Sequence, residues 1–116
     1  MVKKTNILII MADQLAANAL SMYGNKVCKT PNLDNLATYG TVFENAYSNN
    51  PVCVPSRASM LSGHLTPEIA VYDNANELAS SMPTMAHYMR SLGYETFLSG
   101  KMHFLAQINC MVLTRD

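Results

Sequence analysis

The hydrophobic and polar positions along the chain fall into short apolar runs separated by amphipathic stretches. Residues 4–12, KTNILIIMA, form a continuous run rich in isoleucine, which is the pattern of a strand buried on both faces of a parallel sheet. Residues 94–99, YETFLS, predict a second strand. Residues 41–48, TVFENAYS, are compatible with a further extended segment, and the NNP triplet after them breaks regular structure.

Cap residues predict two helices between these runs. Thr30, Pro31 and Gly40 bracket the first helix, because threonine can cap free amides, proline suits the first turn and glycine suits a left-handed stop. The second helix opens near Pro55 and stops at Gly63. Both helices therefore have a start and a stop in their local sequence.

A third helix is predicted to begin at Pro83 and end at Gly93. Its apolar positions recur at spacings of four and three, at Met85, Met89 and Leu92. Residues 64–81 are polar and mixed without a clear period, which predicts a surface excursion with at most a short turn of helix. The order strand, helix, helix, helix, strand indicates an α/β fold with right-handed crossovers.

The composition of the chain argues against nucleic acid and membrane as partners. The 116 residues carry eight basic and eight acidic side chains, so no excess of positive charge points to nucleic acid. The longest apolar run, residues 7–12, is far too short to span a bilayer, and the lysines before it lack the cleavage site of a secretory signal. We therefore expect a cytoplasmic protein without a membrane partner. Three cysteines without metal-ligand spacing argue against a disulfide framework and a zinc site: Cys28, Cys53 and Cys110.

Polar side chains follow both predicted strands. Asp13 and Gln14 come after the first, Lys101 and His103 come after the second, and the Cys53 loop opens a helix between them. Open α/β sheets bind ligands at the carboxyl ends of their strands, where helix amino termini point inward. If these loops meet, they form an anion site with a metal.

Three motifs in order resemble the sulfatase family. CVPSR, residues 53–57, resembles the signature whose cysteine is oxidised to formylglycine; GYETFLSGKMH, residues 93–103, resembles the second signature; and ILIIMADQ supplies the first strand and its acid. The resemblance covers roughly residues 4–105. It implies the amino-terminal part of an alkaline-phosphatase-like or sulfatase-like, mostly parallel sheet flanked by helices, and this part is incomplete.

Details of the pattern look similar to choline sulfatases. Asp13 is followed by Gln14 rather than by a second aspartate. Three further segments also resemble choline sulfatases: VYDNANEL, SMPTMAHYMRSLGY and LSGKMHF. Val54 departs from the family pattern, in which a smaller residue is usual. Phosphonate monoester hydrolases share part of the pattern and are the main rival.

The resemblance also implies roles for individual residues. The catalytic set would be Cys53 as formylglycine, Arg57 holding its hydrated form, Lys101 binding sulfate oxygen, and His103 contacting the hydrate or taking its proton. The metal ligands would be Asp13, Gln14 and the modified Cys53. An all-oxygen set favours Ca²⁺, with Mn²⁺ or Mg²⁺ as alternatives. The expected partners are a small sulfate ester such as choline sulfate, a formylglycine-generating enzyme and, for the full-length form, further copies of itself.

Relatives of this pattern are several times longer, which suggests a truncated chain. We expect residues 1–105 to be the amino-terminal portion of a sulfatase catalytic domain, and residues 106–116 to be a tail outside the family pattern, arising from a frameshift near Leu105 or Ala106. Such a piece would leave apolar surface uncovered and would be inactive alone. The alternatives are a phosphonate or phosphate monoester hydrolase on the same scaffold, or a non-catalytic truncated product.

Several polar residues have plainer interpretations. An aspartate such as Asp13 at the end of a strand is often only a helix cap. Ser56 has no histidine and acid partner placed by sequence, so a helix-turn role is favoured over a nucleophilic one. His64 and His87 are expected to be structural or exposed, and Cys28 to be a passive thiol.

Overall fold

A computed structural model describes residues 4–101 of the chain, and these residues divide into two compact units on either side of the boundary between Ala46 and Tyr47. Each unit is described by itself. The helical elements of the described part are two 3₁₀ turns, Ala17–Ala19 and Ser21–Tyr23, and the α-helices α1 Pro31–Tyr39, α2 Cys53–Ser62, α3 Thr66–Ile69 and α4 Met85–Ser91. Within residues 4–101, every helix is too short or too polar to cross a bilayer.

Helix α1 of the first unit begins at Pro31 and stops at Gly40, as its sequence predicts, but the predicted cap and left-handed stop are not formed. The Thr30 hydroxyl makes no capping bond and instead donates to Asp34 Oδ1 at 3.3 Å. Ser21 Oγ donates to the other oxygen of the same carboxylate at 2.6 Å. Gly40 ends the helix with extended backbone, φ −120°, so no left-handed residue is needed there.

The apolar run of the first unit forms no regular secondary structure. Among residues 4–101 no β-strand is present, so the strands predicted at residues 4–12 and 94–99 are not seen as paired strands. Leu8 and Ile10 are 82% and 84% exposed. A strand requires a neighbour for its amides and carbonyls, and the described residues supply none. The prediction that apolar surface would be left uncovered agrees with these exposures.

Helix α2 begins at Cys53, two residues before the predicted start at Pro55. Val52 has extended backbone, and its carbonyl accepts the first helical hydrogen bond, from the Ser56 N–H at 2.9 Å. Pro55 therefore occupies the third helical position, within the first turn, where its missing N–H removes no helical bond. Gly63 ends the helix in the left-handed region, φ 73°, as predicted.

The core of the second unit joins α2 to the segment that follows it. Val54 and Ala58 of α2 pack in one cluster with Ile69, Val71 and Leu78. Most of residues 64–81 are exposed, as the predicted surface excursion requires, and the short helix expected there is present as α3. The prediction missed that this segment also supplies Ile69, Val71 and Leu78 to the core. The segment shows no period because its buried residues come from one helical turn and from loops.

Helix α4 begins after Thr84 rather than at Pro83. Thr84 is buried, and its N–H donates to His87 Nδ1 at 3.1 Å. Its hydroxyl oxygen lies 2.8 Å from the same ring nitrogen. These contacts satisfy an amide that helix starts otherwise leave unpaired, and they confirm that His87 has a structural role.

Candidate functional site

The centre of the candidate site is the first residue of α2, the half-buried Cys53. Two contacts fix the backbone on either side of this thiol. The Val54 N–H donates to Asn74 Oδ1 at 3.0 Å, and the Val52 carbonyl accepts from Ser56. Cys53 therefore lies at a helix start whose local conformation is held by a residue more distant in sequence, Asn74.

The loop before Cys53 is held against the rest of the second unit by side-chain hydrogen bonds. Asn49 Oδ1 accepts from Thr66 Oγ1 at 2.6 Å and from Ser59 Oγ at 3.3 Å. Both hydroxyl residues are buried and need such a partner. Asn50 Nδ2 donates to the Tyr72 carbonyl at 3.1 Å. These contacts fix the loop that leads into the helix.

Sequence reasoning missed these asparagines, because it treated the NNP triplet only as a break in regular structure. A usable signal was present in the composition of the segments. Asparagines at 49, 50 and 74 flank a short helix, α2, that carries a buried arginine and a buried serine, and the buried Thr66 follows in α3. Polar residues on both sides of such a helix are natural partners for its buried polar groups.

Arg57 lies one turn along α2 from Cys53 and is only 7% exposed. Its guanidinium Nη1 donates to the backbone carbonyl of Lys101 at 2.7 Å. A buried guanidinium is stable only when its N–H groups are paired, and this short bond to a carbonyl meets part of that requirement.

The side chain of Lys101 leads back to Cys53. Lys101 Nζ lies 3.9 Å from Cys53 Sγ and donates toward it. The structure thus brings together three of the residues singled out in the sequence, Cys53, Arg57 and Lys101, although 44 residues separate Arg57 from Lys101. The ammonium places a positive charge beside the Cys53 sulfur.

Asp13 and Gln14 lie in the first unit, at an exposed turn. Gln14 has φ 56°, an uncommon left-handed backbone for a residue other than glycine. Residues 4–101 contain no group of three His, Cys, Asp or Glu side chains that could hold a metal. Calcium takes at least six oxygen ligands, so these two side chains do not make a complete site by themselves.

The other polar residues behave as follows. Ser56 Oγ accepts from Ser48 Oγ at 3.1 Å, which fits its expected helix-turn role. His64 is about half exposed and lies 3.8 Å from Glu68, and Cys28 is exposed. His103, Cys110 and the tail at residues 106–116 lie outside the described residues.

The site combines a cysteine at the start of α2, a buried arginine one turn later and the Lys101 ammonium 3.9 Å from the cysteine sulfur. The sequence matches the Sulfatase family over residues 5–107. The chain belongs to the sulfatase family.

Individual relatives agree with this assignment. The chain is 48% identical to a choline-sulfatase of Rhizobium meliloti over 88% of its length and 20% of the relative's. It is 34% identical to an N-acetylglucosamine-6-O-sulfatase of Bacteroides thetaiotaomicron, over 90% of this chain and 19% of that one. It is 38% identical to an arylsulfatase of Clostridium perfringens, over 91% and 22%.

A solved structure shares the fold of the described chain. It is a complex of a protein with its substrate, D-glucosamine-2-N,6-O-disulfate, and it matches with a TM-score of 0.87 and 34% identity over 90% of this chain and 21% of that chain. The fold is therefore that of the sulfatases. The chain spans about a fifth of the length of the curated relatives it matches.

Proposed function

We propose that the protein carrying this chain hydrolyses sulfuric esters, with position 53 as the reacting side chain. One observation carries the proposal: Cys53 begins α2 inside the CVPSR motif with the Lys101 ammonium 3.9 Å from its sulfur. A fixed cation at that distance stabilises the negative charge that develops on an oxygen of a sulfuryl group under attack.

The proposal gives each of these residues a task. Cys53 is the site of oxidation to formylglycine, which supplies an aldehyde whose hydrate can attack sulfur and afterwards release sulfate. Lys101 binds a sulfate oxygen, and the positive end of α2 adds to the attraction for an anion. His103, which follows Lys101 by two residues, would accept or return a proton.

Asp13 and Gln14 are proposed to contribute oxygen ligands to a divalent cation, with Ca²⁺ preferred over Mn²⁺ or Mg²⁺. A carboxylate and an amide carbonyl are the oxygen donors that calcium accepts. Such a cation would supply Lewis acidity when bound. The remaining ligands would come from outside the described residues. Metal content measured on the full-length protein, before and after Asp13→Ala, tests this assignment.

The substrate class follows from the relatives. Identity is highest to the choline-sulfatase, 48% against 34% and 38% for the N-acetylglucosamine-6-O-sulfatase and the arylsulfatase. We therefore propose a small alkyl sulfate such as choline sulfate. The full-length form would meet a formylglycine-generating enzyme and further copies of itself as partners.

Turnover by the full-length protein tests this function against its rival, a phosphonate or phosphate monoester hydrolase. Sulfuryl and phosphoryl groups share geometry, so one scaffold can host both reactions. Choline sulfate and a phosphonate monoester are compared at equal concentration. Faster turnover of the sulfate supports the proposal, and faster turnover of the phosphonate favours the rival.

The domain assignment remains a proposal as well. Residues 1–105 are proposed to be part of a sulfatase catalytic domain, which the family match over residues 5–107 supports. The 116-residue chain alone is proposed to be inactive, as a non-catalytic product. Hydrolysis of an aryl sulfate by this purified chain, at a rate sensitive to chelator, would contradict that.

A further inference from the structure

We infer that Arg57 is a positioning residue for Lys101. Its guanidinium holds the backbone carbonyl of Lys101 at 2.7 Å, and this bond keeps the lysine ammonium 3.9 Å from Cys53 Sγ. That this position of Lys101 aids ester hydrolysis rests on the proposed function. That Arg57 holds Lys101 near Cys53 does not. Arg57 thereby acts through Lys101, a role in addition to the sequence-based expectation that it holds the reacting group directly.

A bond to the backbone of Lys101 matters because this residue is not part of a helix. It is exposed and lies in the irregular segment that follows α4. A lysine side chain has four rotatable bonds and loses much conformational entropy when it is fixed in one geometry. Fixing its backbone does not stop these rotations, but it limits the positions that the ammonium can reach, and a shift of about an ångström can cost much of the benefit of a well-placed charge.

Arg57 suits this task because it lies on the same helix as Cys53, the residue that the Lys101 ammonium must stay close to. Cys53 and Arg57 are four residues apart on α2 and therefore share a helix face. Arg57 is 7% exposed, so its own side chain is fixed by packing. Any movement of α2 carries the thiol and the group that holds Lys101 together, which preserves the distance between them.

Proximity of the thiol and the amine can be measured directly with ortho-phthalaldehyde. This reagent condenses with one thiol and one primary amine to a fluorescent isoindole, with loss of two molecules of water, when the two groups lie close together. The 116-residue chain is used with its Cys53 thiol intact. Isoindole formed by Cys53→Ser measures the background from the other cysteines and is subtracted.

We expect Lys101→Met to abolish the Cys53-dependent signal. Arg57→Met, which fills similar space but cannot donate, should lower the signal about tenfold, the size expected for losing a hydrogen bond from a charged group. The matched control is Arg90→Met, since Arg90 is an exposed arginine of α4, and it should leave the signal unchanged. A signal in Arg57→Met equal to that of the control, with α2 intact, overturns the inference.

Hydrogen exchange separates positioning from a general loss of structure. The Ser56 and Gly63 amides, which are bonded within α2, should stay protected in Arg57→Met. If that variant loses their protection, the Arg57 guanidinium N–H exchange rate decides. Those protons should exchange more slowly than those of Arg90, both in the native chain and in Lys101→Met, which keeps the carbonyl. Equal exchange of the two arginines overturns the inference. Neither measurement requires turnover, so failure here is distinct from failure of the proposed function.

Discussion

Helices α1 and α2 are nearly equal in length, nine and ten residues, yet they differ in what surrounds them. Helix α1 has no buried residue, whereas α2 buries five of its ten. Both stop at the glycine that their sequence predicts, and α1 also begins at its predicted Pro31. Local sequence is therefore enough to set a helix, but burial depends on partners from elsewhere in the chain, which residues 64–78 supply to α2. Two residues of the candidate site, Cys53 and Arg57, lie on α2, the helix that is packed into the core.

The largest expected effect concerns the two described cysteines, one in each unit. Cys53→Ala should abolish ester hydrolysis by the full-length protein, because it removes the side chain at which attack is proposed to occur. Cys28→Ala is the matched control and should retain the parent turnover, since that thiol is exposed and distant in sequence from the motif. Initial rates on choline sulfate check both. Appreciable turnover by the first variant contradicts the role of Cys53.

The next largest effect is on stability, where a leucine of the buried core in the second unit is compared with an exposed leucine of α1 in the first. Leu78 is 6% exposed and Leu36 of α1 is 64% exposed. Leu78→Ala should lower the free energy of unfolding by about 2–5 kcal/mol through lost burial and a cavity. Leu36→Ala should change it by less than about 0.5 kcal/mol, as surface substitutions do. Urea unfolding of the 116-residue chain measures both, and equal losses would remove the contrast between the helices.

A third comparison tests polar contacts instead of apolar packing, at the loop before Cys53. Asn49→Ala leaves the buried hydroxyls of Ser59 and Thr66 without their shared acceptor, which should cost about 1–3 kcal/mol of stability. Asn32→Ala, at an exposed position of α1, is the control and should be close to neutral. Should the two variants unfold at the same urea concentration, Asn49 does not hold this loop.

The smallest expected effect concerns the glycines that end the two helices. Gly63 has φ 73° and an added Cβ would meet no atom within 4 Å, so Gly63→Ala costs only backbone strain, about 1–2 kcal/mol. Gly40 has φ −120°, and a Cβ there would lie 3.5 Å from the Leu36 carbonyl, an ordinary contact. Gly40→Ala should therefore be neutral or slightly stabilising. Thermal unfolding that ranks the two in the opposite order would refute the left-handed stop at Gly63.

Much of the helical structure followed from sequence because its signals are local. Pro31 and Gly63 mark real helix ends, and the error at Pro83 arose because proline preceded the true cap, Thr84. The core contribution of residues 64–81 escaped prediction, since loop residues such as Val71 are buried by distant contacts that leave no period. The predicted strands have no counterpart within residues 4–101, because pairing depends on a neighbour and not on the run itself.

The candidate site was predictable in composition but not in geometry. The motif around Cys53 and the later Lys101 were recognisable as residues, because both belong to short contiguous patterns. The bond from Arg57 to the Lys101 carbonyl joins two such patterns across the fold, and no spacing in the sequence encodes it. The asparagine contacts to α2 likewise depend on how the loops close.

The most direct test of the account is the mass of the tryptic peptide that ends at Arg57, taken from active full-length protein. The account predicts that position 53 has lost sulfur and two hydrogens and gained one oxygen, the change from thiol to aldehyde, in proportion to specific activity. Full catalytic activity in protein whose Cys53 thiol is unchanged would contradict it.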